Sequence, residues 1–192
     1  MWNRDDITEI QKSVEKIQKD FIYTKLHDGH WICRKIDTSI YCFEIVIGKY
    51  QIYMGGDIDS LVFKVGENYG MRFLAGTDVN YYMHSKLDHV YLDQKEFDKN
   101  ALDDWLLYIK ECNDGDDKKL LELEDLKENL KFCDGLPEIY DVIYRSKFYD
   151  GEMPDIEKSK HSIIFSLYMV NHAAKKICEI INAENDIGRS EE

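Results

Sequence analysis

Several features are scarce in this 192-residue chain. It has two prolines, and its five cysteines are an odd number with no CxxC pair. Such cysteines predict free thiols in a reducing cytosol and argue against a disulfide framework. The most apolar run, Ile163–Val170, is far shorter than the roughly 20 residues that cross a bilayer. The first residues are acidic rather than apolar, so we expect a cytoplasmic protein without a signal peptide or membrane contact.

Recognisable catalytic motifs are also missing. The sequence contains no GxSxG, P-loop, GxGxxG or HExxH pattern, and these are the patterns that link a short motif to a known chemistry. We therefore expect a protein that is not an enzyme and that needs no cofactor.

Negative charge is concentrated in one part of the chain. From Asp93 to Glu157 there are 20 Asp and Glu against 9 Lys and Arg, a balance of −11 in a protein of −13. A concentrated acidic surface repels nucleic acid and attracts basic surfaces. The composition thus predicts a partner protein with a basic surface and no direct binding of nucleic acid.

The densest carboxylates lie around a short glycine-containing break. Eight occur between Glu111 and Glu128, which approaches the phosphate spacing of a DNA strand, about one per 2.3 helical residues. A DNA-mimicking face is one interpretation, and a solvated helix surface with i,i+4 ion pairs is the alternative. The candidate partner-binding residues are Asp114, Asp116, Asp117, Glu122, Glu124, Asp125 and Glu128.

The hydrophobic pattern predicts a single α+β domain over residues 1–192. A stripe of apolar residues indicates a helix over 5–21, and short β-rich runs indicate an antiparallel meander of four or five strands over 30–75. A helical part over 77–184 follows, including a helix that Asp93 caps and a last helix from Lys160 to about Ala183, with a flexible tail over 185–192. The predicted strands are Trp31–Ile36, Ile40–Ile47, Tyr50–Met54, Leu61–Val65 and Met71–Ala75.

A metal site is the alternative interpretation of one turn and two histidines. Paired glycines precede Asp57 and Asp59, and carboxylates on a tight turn suit a hard divalent cation. His84 and His89 are further candidate ligands, although their spacing alone indicates little. Glycine and aspartate are equally typical of a turn between strands.

Three segments resemble a known group of proteins. They are Gly56–Phe63, Arg72–Ala75 and Tyr81–Leu87, and they are similar to small uncharacterised phage and prophage proteins of Gram-positive bacteria with a Gly-Asp turn and a Tyr…Lys-Leu helix. The resemblance implies a context rather than an activity. Small acidic phage proteins include stoichiometric inhibitors of bacterial defence, among them type II anti-CRISPR proteins that bind Cas9.

We therefore predict a phage-derived inhibitor that binds a defence nuclease, in the first place Cas9, through an acidic face. Two alternatives stay open. One is a metal-binding domain or metal-dependent enzyme of phage origin that uses one divalent metal. The other is a phage accessory or structural protein that acts as a homo-oligomer.

Overall fold

The computed structural model has the expected α+β class, with a five-stranded antiparallel sheet, an N-terminal helix and a long C-terminal helix. It describes residues 2, 4–67, 69–92 and 95–190. The chain divides into two compact units. One, the sheet unit, comprises Trp2–Gln94 and Ser159–Glu192, and the other, the helical unit, comprises Lys95–Lys158. Compactness does not decide whether units fold independently, so the single domain stays a prediction.

The sheet is a meander in which each strand pairs with its neighbour along the chain, in the order β1-β2-β3-β4-β5. Short connections allow only this antiparallel arrangement. In β3 and β4 the alternating residues Phe43, Ile45, Ile52 and Met54 are almost fully buried. The strands are β1 Phe21–His27, β2 His30–Lys35, β3 Phe43–Ile47, β4 Gln51–Gly56 and β5 Leu61–Lys64.

Two of the sequence-based assignments in this unit are wrong. The N-terminal helix α1 covers Arg4–Gln18 and ends before Phe21, which starts the unpredicted strand β1. The segment Met71–Ala75 is not a strand but belongs to the helix α2, Met71–Gly76. It is apolar on several sides because it is buried, and a short apolar run does not distinguish a strand from a helix.

Two helices pack on the sheet and complete its core. Helix α1 contributes Ile10 and Val14, and helix α7, His161–Ser190, contributes a series of fully buried residues that includes Leu167 and Ala173. Because α7 continues to Ser190, the predicted helix end near Ala183 is wrong, and the flexibility of residues 185–192 stays a prediction. Residues 191–192 lie outside the described chain. Between α2 and the helical unit lie two short helical turns, Val79–Met83 and His84–Lys86, and α3, His89–Leu92.

The helical unit contains three helices and a two-stranded sheet. Its predicted cap Asp93 lies outside the described residues, and the helix expected to follow it starts later, after Asp98. Phe97, expected on that helix, belongs to β6 instead. The elements are β6 Lys95–Phe97, α4 Lys99–Cys112, α5 Asp117–Leu130, α6 Leu136–Arg145 and β7 Glu157–Ser159.

The helical unit has a hydrophobic core of its own. This core consists of Leu102, Leu106, Ile109, Leu123, Leu126, Ile139, Ile143 and Ile156. Among the described residues, no helix of either unit combines the length and apolar character that crossing a bilayer requires.

Candidate functional site

Aspartate caps define the starts of α4 and α5, the two helices of a hairpin. Asp98 is 4% exposed and accepts hydrogen bonds from the backbone N–H groups of Asn100 and Ala101, which places the start of α4. In the turn after α4, Gly115 adopts φ +88°, a conformation that favours glycine. Asp116 then caps α5 by accepting a hydrogen bond from the N–H of Lys119 at 3.1 Å. The acidic turn is therefore a structural device of the hairpin.

The inward side of α5 decides which of its carboxylates face solvent. Leu123 and Leu126 are buried in the helical core. Since a helix turns by about 100° per residue, the opposite side presents Asp117, Leu121, Glu124, Asp125 and Glu128, all exposed. We call these five residues the acidic face. Leu121, at its centre, is 69% exposed, so the face surrounds an apolar residue with carboxylates.

The structure distributes the seven predicted partner-binding residues over several roles. Asp114 lies exposed in the turn and Asp116 is the cap of α5. Glu122 is partly buried and pairs with Lys147. Of the seven, Asp117, Glu124, Asp125 and Glu128 share the acidic face, and the other three lie outside it.

Two carboxylates of the acidic face already have lysine partners. The Nζ of Lys127 lies 2.9 Å from Glu124 Oε1, and Lys131 pairs with Glu128 in the same i,i+3 spacing. The hydrogen bond and positive charge of Lys127 lower the pKa of Glu124. Glu124 therefore remains ionised at neutral pH, but part of its charge is balanced within the chain.

A groove between α5 and α6 continues the acidic face. Its volume is about 830 Å³. Asp125 belongs to both, and Leu126, Val142 and Phe148 provide apolar lining. Its charged lining residues are the acidic Glu122, Asp125, Glu138 and Asp141 and the basic Arg145 and Lys147. We call it the acidic groove.

Contacts within the helical unit hold α6 against its short sheet. Tyr140 donates a hydrogen bond from its hydroxyl to Glu157 Oε1 at 2.9 Å. Burial, together with the hydrogen bond to Glu157 and the charge of that carboxylate, raises the pKa of Tyr140 to about 12. The hydroxyl is thus a donor throughout the neutral range and fixes the α6 wall of the acidic groove.

The metal candidates do not form a cluster. Among the described residues, no three His, Cys, Asp or Glu side chains come together in a way that could hold an ion. Asp57 is exposed, and His84 Nε2 lies 2.9 Å from Ser159 Oγ. The backbone N–H of Asp59 donates to Ser166 Oγ. The side-chain Oδ2 of Asp59 is buried and has no hydrogen-bond partner among the described residues. The side chain of His89 lies outside the described residues.

The paired glycines before Asp57 have a structural explanation. Gly56 adopts φ +140°, and a Cβ there would lie 2.3 Å from the backbone carbonyl oxygen of Cys42. The N–H of Asp57 also donates to that oxygen at 2.8 Å. Close approach of β3 and the end of β4 therefore requires glycine at position 56, as in a strand-connecting turn.

Sequence reasoning missed the acidic groove and the exposed apolar residue in the acidic face. The groove depends on how α6 folds back beside α5, which local patterns do not contain. The exposure of Leu121 had a signal, because Leu123, Leu126 and Leu130 fall on the other side of a helix. Comparison with protein-family models, with curated proteins and with solved structures gives no match for this chain.

Proposed function

We propose that this protein binds a basic surface of another protein through the acidic face and the acidic groove. The main observation in its support is that the two surfaces are continuous. Asp125 belongs to both, so exposed carboxylates lead directly into an apolar-lined depression. A basic partner segment places its cations along α5 and an apolar side chain in the groove. Interfaces of this kind combine a buried apolar centre with a charged rim.

The charge of the helical unit supports this proposal. Its residues 95–158 carry 19 Asp and Glu against 10 Lys and Arg, or −9 of the total −13. Complementary charge of this kind accelerates association and suppresses wrong partners. Exposed charges are screened over about 8 Å at physiological ionic strength, so binding weakens as salt is added.

The partner we propose is the nucleic-acid-binding surface of a bacterial defence nuclease, with Cas9 as the first to test. The likeness to small phage proteins and the acidic character both support an inhibitor of this type. In this mode the protein acts stoichiometrically, since its carboxylates occupy the place of phosphates and no turnover occurs.

The test compares two variants with the same change in net charge. E124K/D125K/E128K reverses three charges of the acidic face and leaves the cap Asp116 intact. The control E15K/E184K/D186K reverses three exposed carboxylates of the sheet unit. We expect the first variant to lose at least about tenfold in affinity for guide-loaded or unloaded Cas9 and to lose inhibition of DNA cleavage, because rim charges govern steering and salt dependence.

The control variant should bind within about twofold of the wild-type protein. Equal losses in both variants would show that only net charge matters and would contradict a defined site. If the wild-type protein does not bind Cas9 in either state, Cas9 is not the partner. A pull-down that captures a basic protein with the control variant but not with the acidic-face variant would then support the proposed surface with a different partner.

A metal-binding domain is the second candidate function, and one observation favours it. The buried Oδ2 of Asp59 has no hydrogen-bond partner among the described residues, and a carboxylate oxygen in that state suits a hard cation. Elemental analysis after dialysis tests this reading. Stoichiometric metal in the wild-type protein that disappears in Asp59→Asn would support it, and metal-free wild-type protein would contradict it.

A further inference from the structure

A second groove of the helical unit has the opposite charge. It has a volume of about 650 Å³ and is bounded by α4, the end of α5 and the start of α6. Its apolar lining includes Leu102, Leu106 and Ile139, and Leu107 at its edge is 53% exposed. Four lysines and two aspartates complete the lining: Lys99, Lys110, Lys127, Lys131, Asp103 and Asp134. We call it the lysine groove.

The excess of lysine is notable because it occurs inside the most acidic part of the molecule. Lys side chains place their methylene stems along apolar surface while the ammonium group stays in water. An apolar floor with ammonium groups at its rim is complementary to a molecule that has an alkyl part and an anionic end. The surrounding carboxylates repel every anion, so an anion gains enough to bind only if it also has an apolar part that contacts the floor.

One lysine of the groove is available for the anionic end. Lys99 pairs with Asp103 at 2.8 Å, and Lys127 and Lys131 pair with Glu124 and Glu128. Lys110 is exposed and has no ion-pair partner within hydrogen-bonding distance among the described residues, while its charge acts at longer range on Glu124. It lies near the C-terminal end of α4, so a ligand held there extends its apolar part along α4 towards Leu102.

The size of the groove favours a narrow ligand over a helix. Small-molecule sites occupy about 300–1,000 Å³, and the lysine groove lies in that range. A helix about 10 Å across would leave much of its bulk outside the groove. An unbranched alkyl chain is narrower and covers the leucines without that excess.

We propose that the lysine groove binds a long-chain carboxylate, with the alkyl chain on Leu102, Leu106 and Leu107 and the carboxylate on the ammonium group of Lys110. The interaction is reversible and non-covalent. Its specificity has two parts, since the floor selects for chain length and Lys110 selects for negative charge.

Calorimetric titration of the full chain with dodecanoate, below its micelle concentration, tests the proposal. We expect one site per chain, and at least about tenfold weaker binding in Lys110→Glu. The matched control is Lys118→Glu, an equal charge change on an exposed lysine of α5 that does not line the groove. Leu107→Glu, at a half-exposed position, should also weaken binding and should leave the far-UV circular dichroism unchanged.

A cationic amphiphile of the same chain length, dodecyltrimethylammonium, separates a specific site from general hydrophobic binding. It should bind at least about tenfold more weakly than dodecanoate. Equal binding of the two amphiphiles, unchanged binding in Lys110→Glu, or no heat with dodecanoate would overturn the proposal. Tighter binding of an acidic amphipathic peptide than of dodecanoate would overturn it too, in favour of a helical occupant.

Discussion

Gln18 connects three elements of the sheet unit and offers a quantitative test of its packing. It is 3% exposed at the end of α1. Its amide nitrogen Nε2 donates to the backbone carbonyl oxygen of Met169 in α7 at 2.7 Å, and its Oε1 accepts from the hydroxyl of Tyr23 in β1 at 3.0 Å. Burial raises the pKa of Tyr23, so the hydroxyl stays protonated and remains a donor.

The perturbation is a double-mutant cycle of Gln18→Met and Tyr23→Phe. Tyr23→Phe removes one neutral hydrogen bond and leaves the Oε1 of Gln18 unsatisfied, which costs about 1–2 kcal/mol. Gln18→Met keeps an unbranched side chain but removes both bonds and leaves the Tyr23 hydroxyl unpaired, at a cost of about 2–3 kcal/mol. The double variant contains neither orphaned group, so it should be less destabilised than the sum by about 1 kcal/mol.

The assay is urea unfolding followed by tryptophan fluorescence in a Trp105→Phe background. In that background Trp2 and Trp31 report on the sheet unit alone, because Trp105 lies in the helical unit. Additivity of the two single changes to within about 0.3 kcal/mol would refute the reasoning. It would mean that Gln18 and Tyr23 do not interact in solution.

Three further predictions concern the turn, the cap and a half-buried histidine. Gly56→Ala should lower the free energy of unfolding by more than about 2 kcal/mol, since its Cβ would lie 2.3 Å from a carbonyl oxygen in a conformation unsuited to alanine. Gly76→Ala is the control: its Cβ would meet open space, so the variant should melt within a few degrees of the wild-type protein. Asp116→Ala should lower the free energy of unfolding by about 1 kcal/mol through loss of the cap, measured by urea unfolding, whereas Asp114→Ala should change little. Burial lowers the pKa of His172 below 6.5, so its contribution to stability is complete above about pH 6.5 and is lost as the pH falls through the folded-state pKa. His172→Gln should flatten that part of the urea-midpoint profile between pH 5 and 7.5, and an unchanged profile would contradict the assignment.

Local periodicity was sufficient for elements whose apolar residues alternate cleanly. The stripe through Ile10 and Val14 predicted α1, and alternation predicted β3, because burial on one side leaves a regular trace in the sequence. Met71–Ala75 shows no regular period of apolar residues, since α2 is buried on more than one side. The position of α7 was also beyond local reasoning, because its packing partners α1 and α2 lie far earlier in the chain, as in the hydrogen bond from Asn171 to Leu74, 97 residues away.

For the candidate site, the sequence indicated charge density but not its distribution. The i,i+3 spacing of Glu124 and Lys127 is visible in the sequence, and it explains why a predicted contact residue is partly balanced within the chain. The two grooves on either side of α5 depend on how α4 and α6 fold back. Local patterns do not contain that geometry. The sequence therefore did not predict that Asp125 lines the acidic groove and Lys110 the lysine groove.

The interleaved order of the two units has a consequence for synthesis on the ribosome. Residues up to Lys64 form the strands, yet Leu167 and Ala173, which complete their core, lie beyond the entire helical unit. At about 5–20 residues per second, the nascent sheet waits roughly 5–20 s for its last helix. The helical unit is continuous in sequence and emerges complete before α7. The segment translated later therefore has all of its own core residues before the sheet does, and the apolar sheet face lacks its α7 cover until that helix is translated.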